Sequence, residues 1–144
     1  MNDLKLENQL CFPLYVVSKE LIKKYKLELD KFDLTYTQYI VMLVLWENSS
    51  INLKTLGERL MLDSGTLTPL LKKLENKGYI KRKVSDKDER NLVISLTKDG
   101  EKLKTKCAYV PKKVGKCLDL DKSEAITLYS LLYKVISNIK DTSI

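Results

Sequence analysis

Asp63-Ser64-Gly65-Thr66-Leu67-Thr68-Pro69-Leu70-Leu71-Lys72-Lys73-Leu74-Glu75-Asn76-Lys77-Gly78, followed at once by Tyr79-Ile80-Lys81-Arg82-Lys83-Val84, is the stretch that decides the fold. Leu67, Leu70, Leu71 and Leu74 recur with helical spacing and make one apolar face. Proline is best tolerated in a first turn, so Pro69 places the helix cap among Ser64, Gly65 and Thr66. Gly78 ends the helix as a C-terminal glycine does. The period then changes. Ile80–Val84 reads as a strand, Ser85–Arg90 as a charged turn, and Leu92, Ile94 and Leu96 alternate as in a second strand. Upstream, Leu53, Leu56 and Leu60 line one face of a short helix, and Met61-Leu62-Asp63 is a tight turn. Two short helices across a tight turn, followed by a charged hairpin, predict a winged helix-turn-helix. The expected fold class is mainly α with a small β hairpin.

Moving outward, residues 8 to 30 predict a helix with the stripe Leu10, Leu14, Val17 and Leu21, and with Pro13 either in its first turn or bending it. Thr35 is a good N-cap for a second helix reaching about Trp46, with Ile40, Leu43 and Val44 on one face. Thr97 caps a helix running towards Cys117, with Pro111 and Gly115 as weak points. Asp121 or Ser123 opens a last helix striped by Leu128, Leu132, Val135 and Ile139. The first and last helices carry more apolar surface than a lone winged domain can bury, which predicts a homodimer.

Composition narrows the function classes. Lys and Arg number 26 against 19 Asp and Glu, a net charge of +7. That excess suits a polyanion, although a Lys-rich solvated surface gives the same count. There is no histidine, which excludes a Ser–His–Asp triad, a Cys–His dyad and imidazole zinc sites. Cys11, Cys107 and Cys117 offer neither a C-x-x-C pair nor a four-ligand set, so no metal or other cofactor is expected. Three cysteines cannot all pair internally. No apolar run has membrane-spanning length, and Met1–Glu7 does not resemble a secretory signal, so the cytoplasm is the expected location and no membrane partner is expected.

Opposite its leucines, the Thr66–Lys77 helix presents Pro69, Lys72, Lys73 and Asn76. Ser64, Thr66 and Thr68 lie at its start. Small polar groups for base edges and lysines for phosphates are what a major-groove helix needs, and a plain amphipathic helix is the competing reading. Arg82 and the hairpin-tip Arg90 add cations, the latter suited to a minor groove. Asp88 is expected to hold Arg90 through a charge-assisted bond.

Asp88-Glu89-Arg90-Asn91-Leu92-Val93-Ile94-Ser95-Leu96-Thr97 resembles the wing signature of the MarR family, D-x-R leading into a strand and Leu-Thr. The resemblance covers about residues 6 to 140. It implies one winged-helix domain over residues 1–144, with a DNA-binding lobe at about 53–97 and dimerisation helices at about 6–34 and 98–140. Double-stranded DNA, probed as a palindromic operator by a twofold dimer, is the implied partner.

Leu6-Glu7-Asn8-Gln9-Leu10-Cys11-Phe12 resembles the start of the OhrR branch, repressors that sense organic hydroperoxides. The resemblance implies a Cys11 thiol hydrogen-bonded to tyrosines, two of them from the other subunit, with Tyr25 and Tyr36 at the matching positions and Tyr15 at a further one. The chemistry is sensible in its own right. Thiolate attacks peroxide, a helix N-terminus favours thiolate, and phenol O–H groups stabilise it. Pro13 departs from the branch pattern. In some relatives a C-terminal cysteine resolves the sulfenic acid as an intersubunit disulfide, and in others a small thiol does so; Cys117 lies near the resolving position. Cys107 reads as structural. Two alternatives stand beside this reading: a MarR-type regulator of a small aromatic ligand with Cys11 incidental, and a thiol peroxidase. The latter needs a βαβ pattern that this helix-rich, non-enzymatic sequence lacks.

Overall fold

A computed structural model describes residues 3–88 and 90–141. Glu89 of the wing stretch lies outside the described residues, as do residues 1, 2 and 142–144. The elements are α1 (Cys11–Leu29), α2 (Tyr36–Asn48), β1 (Ser50–Asn52), α3 (Leu53–Leu60), α4 (Ser64–Asn76), β2 (Ile80–Val84), β3 (Leu92–Leu96), α5 (Lys98–Cys107), α6 (Val110–Gly115) and α7 (Lys122–Asp141). Short 3-10 turns lie at Leu6–Asn8, Asp30–Phe32 and Lys116–Leu118. By contact the chain divides into two compact units, Met1–Val110 and Pro111–Ile144.

The first unit is built around α2. Tyr39, Val41, Met42 and Leu45 are all buried, so this helix is apolar nearly all round. A capping box starts it. The Gln38 amide donates to Thr35 Oγ1 (3.2 Å), and the Thr35 amide donates to Gln38 Oε1 (3.1 Å). Leu56 of α3, Leu67, Leu71 and Leu74 of α4, and Ile80 and Ile94 of the strands close over it.

β3 is the central strand of a three-stranded antiparallel sheet in the order β1-β3-β2. Ile80 faces Leu96 and Val84 faces Leu92 across the wing, while Ile51 faces Ile94 on the other side. The hairpin strands fall where the period-two pattern puts them. β1 was not expected. Three residues wedged between two helices are too short to show alternation.

The start of α4 corrects the sequence reading. Asp63 is the N-cap, its Oδ1 accepting the Thr66 amide at 2.7 Å, rather than Ser64, Gly65 or Thr66. That bond leads the influences holding the Asp63 carboxyl below its usual range. The helix therefore begins earlier, and Pro69 lies inside it. The bond that Pro69 omits would go to the Gly65 carbonyl, on an exposed face where water can serve. At the other end Gly78 has φ +81°, the left-handed turn that stops a helix.

The helix capped by Thr97 is shorter than expected: α5 ends at Cys107 and α6 restarts at Val110, with Pro111 in its first turn. Packing at its start is tight. Trp46 Nε1 donates to the Gly100 carbonyl (2.9 Å), and a Cβ on Gly100 would lie 2.2 Å from the Tyr79 carbonyl oxygen. Gly100→Ala is therefore expected to cost about 1–3 kcal/mol, a fall of roughly 3–10 °C in Tm by scanning calorimetry. An unchanged Tm would mean that Tyr79 is free to move aside.

In the second unit Asp121 opens α7. Its Oδ1 accepts the Glu124 amide (2.9 Å) while Glu124 Oε2 accepts the Asp121 amide (3.0 Å). Leu128, Leu132, Val135 and Ile139 are all exposed along α7. Among the described residues, no helix is long and apolar enough to cross a membrane.

Candidate nucleic-acid interface and thiol site

The apolar stripe of α4 fixes what the opposite face shows. Leu67, Leu71 and Leu74 are buried, while Ser64, Thr66, Thr68, Pro69, Lys72, Lys73 and Asn76 are all exposed. The structure thus gathers the whole α4 part of the expected DNA set on one accessible helix. Arg82 differs. Its Nη2 and Nε donate to Glu75 Oε1 (3.0 and 3.2 Å), and its backbone amide donates to Glu75 Oε2 (3.0 Å). The guanidinium is committed to joining β2 to α4. The same contact leads the influences that hold the Glu75 carboxyl below its usual range.

At the wing tip, Arg90 is exposed. Asp88 Oδ1 accepts its backbone amide at 3.0 Å, and the Asp88 carbonyl accepts the Asn91 amide at 3.0 Å. Asp88 thus holds Arg90 through the main-chain amide and shapes the turn; among the described residues it makes no ion pair with the Arg90 guanidinium, which is left exposed. An open cleft of about 380 Å³ joins this tip to the start of α3, lined by Asn52, Lys54, Thr55, Glu58, Asp88, Arg90 and Asn91. Sequence reasoning missed the α3 side of this surface. The available signal was Asn52, an N-cap whose side chain accepts the Thr55 amide at 2.8 Å and so puts Lys54 in a helical first turn.

Cys11 is the first residue of α1 and is exposed. Pro13 is its third residue, a first-turn position that costs no helical bond, so the departure at Pro13 leaves Cys11 at the helix N-terminus. Tyr15, one turn on, shares the Cys11 face, with Lys19 Nζ 5.3 Å from its ring centroid. Tyr25 lies 14 residues along the same helix, about 21 Å at about 1.5 Å per residue, out of reach of its own Cys11. Tyr25 instead packs on Tyr36 (centroids 4.8 Å) and Tyr39 (5.8 Å).

Burial raises the phenol pKa of Tyr36, and burial followed by the neighbouring Tyr36 raises that of Tyr25. Tyr39 is pushed up to about 12, chiefly by burial. All three remain O–H donors at neutral pH. Among the described residues, neither the Tyr25 nor the Tyr36 hydroxyl is used in an intrachain hydrogen bond.

The family model described as the transcriptional regulator SarA/Rot matches residues 17–107. The chain belongs to this MarR-type family of transcriptional regulators. It is 49% identical over 138 residues to the organic hydroperoxide resistance transcriptional regulator of Bacillus subtilis, covering 91% of this chain and 94% of that one. It is also 49% identical over 138 residues to the transcriptional regulator SarZ of Staphylococcus haemolyticus, covering 96% and 94%. Among solved structures, reduced AbfR bound to DNA aligns with a TM-score of 0.81 at 33% identity over 99% of this chain and 100% of that one. Overoxidised AbfR bound to DNA aligns at 0.77 and 36% identity, covering 93% and 94%. Disulfide-formed AbfR aligns at 0.70 and 36% identity, covering 93% and 91%. AbfR is a Staphylococcus epidermidis protein. The winged-helix reading of this SarA/Rot member is thereby established, with a third strand added to the expected hairpin.

In this SarA/Rot member the remaining two cysteines differ sharply. Cys107 is buried, and burial pushes its thiol up to about 11 against a smaller lowering by Lys106. It stays protonated at neutral pH, as a structural thiol should. Cys117 is exposed in the 3-10 turn after α6, its Sγ 3.9 Å from the Lys113 carbonyl. Among the described residues, no group of three His, Cys, Asp or Glu side chains could hold a metal.

Proposed function

We propose that the chain is a homodimeric, DNA-binding repressor that releases its operator when an organic hydroperoxide oxidises Cys11. One observation carries the redox part. A thiol at the start of α1 and two protonated, uncommitted phenols occur in the same chain, yet Tyr25 lies too far along α1 to meet its own Cys11, and Tyr36, at the start of α2, is packed on Tyr25. A twofold dimer is the arrangement that lets both find a partner. The exposed apolar residues of α1 and α7, in the regions 6–34 and 98–140 assigned to dimerisation, supply the surface for it. The α4 face and the Arg90 tip supply the DNA contacts. Arg82 acts by positioning the wing.

The Cys11 thiolate attacks one peroxide oxygen and the O–O bond breaks. Sulfur is oxidised by two electrons to sulfenic acid, and the other oxygen leaves as the alcohol after taking a proton. The sulfenic acid then condenses with a second thiol, expelling water and forming a disulfide. That thiol is the partner subunit's Cys117 or a small cellular thiol. Overoxidised AbfR has been solved on DNA, which favours the disulfide over added negative charge as the releasing state. One sulfur reacts once per signal, so the chain is a stoichiometric sensor and not an enzyme, acting in the cytoplasm with the DNA.

The second reading, regulation by a small aromatic ligand, has one feature in its favour: a cleft of about 260 Å³ lined by Ile22, Lys26, Asp30, Leu34, Thr35 and Tyr36. Its one cation, Lys26, is already paired with Asp30 at 2.7 Å, which disfavours an acidic ligand.

The test uses a duplex selected from random palindromes by the reduced protein. One equivalent of cumene hydroperoxide should release the parent dimer, and dithiothreitol should restore binding. Release by salicylate without any mass change at Cys11 would instead support the ligand reading. Lys72→Ala should weaken selected and random duplexes about equally and lower the salt slope by about 1, because a phosphate contact acts through counterion release. A sedimenting monomer at micromolar concentration would remove the basis for the shared thiol site.

A further inference from the structure

The C-terminal end of α4 is held on two sides. Glu75 ties it to the wing through Arg82. Lys77, its C-cap residue, reaches the other way. Lys77 Nζ donates to the Asp33 carbonyl and to Gln38 Oε1 (3.1 Å), with the Asp33 carboxylate 3.4 Å away. The Lys77 side chain is only 24% exposed although it is a lysine beside an otherwise open turn, so most of it is spent on this contact.

The acceptors belong to the turn that carries Tyr36. Asp33 has φ +52° and closes the 3-10 turn after α1. Gln38 is the far half of the Thr35 capping box, and Tyr36 is the first residue of α2 between them. One side chain, that of Lys77, therefore links the end of α4 to the segment that carries Tyr36, whose ring packs against Tyr25.

On the reading of Cys11 as a redox sensor, we propose that Lys77 is the positioning residue that transmits the state of the tyrosine-bearing turn to helix α4. The contact is suited to a switch because both of its states are satisfied. If Lys77 withdraws, its ammonium passes to water, and the buried Gln38 oxygen keeps its bond from the Thr35 amide. No buried polar group is orphaned, so the contact can break at low cost. When it breaks, Glu75–Arg82 still binds the end of α4 to the wing, so a small shift of that end over its buried leucines carries the wing with it. This gives the two-state element that a redox signal needs in order to act at a distance.

Operator affinity is measured for the parent, Lys77→Met and Lys77→Arg, reduced and after complete disulfide conversion of Cys11 verified by intact mass. Lys77→Met should oxidise at the parent's rate and, when reduced, bind within about threefold of the parent. Its loss of affinity on oxidation should be smaller than the parent's by roughly 3- to 30-fold. Lys77→Arg, which keeps the cation, should restore most of that loss. Hydrogen exchange on the unmutated parent gives a second readout: amides at 74–78 should exchange faster after oxidation. A Lys77→Met protein that releases DNA as fully as the parent overturns the proposal, as does unchanged exchange at 74–78. A parent that oxidises at Cys11 yet keeps its operator defeats the sensor reading itself, a result distinct from either.

Discussion

Cys11→Ser is expected to bind the selected duplex within about twofold of the parent when reduced, and to remain bound after organic hydroperoxide lowers the parent's affinity by roughly 10- to 100-fold, the span of ordinary allosteric couplings. Serine keeps a small hydrogen-bonding group at the first position of α1, where the residue is exposed and no core packing is lost. What it loses is chemistry, since an alcohol cannot climb the oxidation ladder. Cys107→Ser should not protect, because the Cys107 thiol is buried and held protonated. Cys117→Ser separates the two routes after sulfenic acid. If the partner's Cys117 resolves it, the parent runs as a covalent dimer on a non-reducing gel and Cys117→Ser does not. If a small thiol resolves it, both gain the mass of that thiol. The sensor assignment fails if oxidant strips Cys11→Ser from DNA as readily as the parent.

Arg90→Ala should weaken operator binding by roughly 10- to 100-fold, the loss expected for a groove-reading arginine at about 1–3 kcal/mol. The side chain is exposed at the tip of a turn whose main chain is fixed by Asp88 and Asn91, so its removal leaves the wing intact. Arg82→Ala offers the contrast. Its guanidinium faces Glu75, so its loss should broaden the α4 and wing amide signals and weaken specific and random duplexes together, through misplacement of the reader. Anisotropy titrations at one fixed salt concentration distinguish the two. Equal affinity of Arg90→Ala and the parent would remove the wing tip from the interface.

Much of this was legible in the residues. The leucine stripe of α4, the alternation of Leu92, Ile94 and Leu96, and the Thr35 cap are periodic or local signals, and each appears where its spacing puts it. The failures share a cause. Asp63, Ser64 and Thr66 are comparable caps, and only the bond from the Thr66 amide to Asp63 decides among them. Arg82 looks like one more cation in Lys81-Arg82-Lys83. That it points back to Glu75 depends on the angle between a helix and a strand, which no period encodes. Lys77 and Asp33 are 44 residues apart in the chain and meet only in the fold. β1 is too brief to leave a pattern at all.

The three bonds between Glu75 and Arg82 fix the angle between α4 and the wing, and that angle has a counterpart in the target. On the proposed docking, a helix in one groove and a tip in the next, joined rigidly, form a caliper of set span. Inserting one base pair between the positions they touch adds about 3.4 Å of rise along each strand. The caliper cannot stretch to follow, so one set of contacts must be abandoned. Half-site length should therefore be under tighter constraint than the identity of any single base within it, whereas the spacing between the two half-sites is governed by the dimer and belongs to a different part of the molecule.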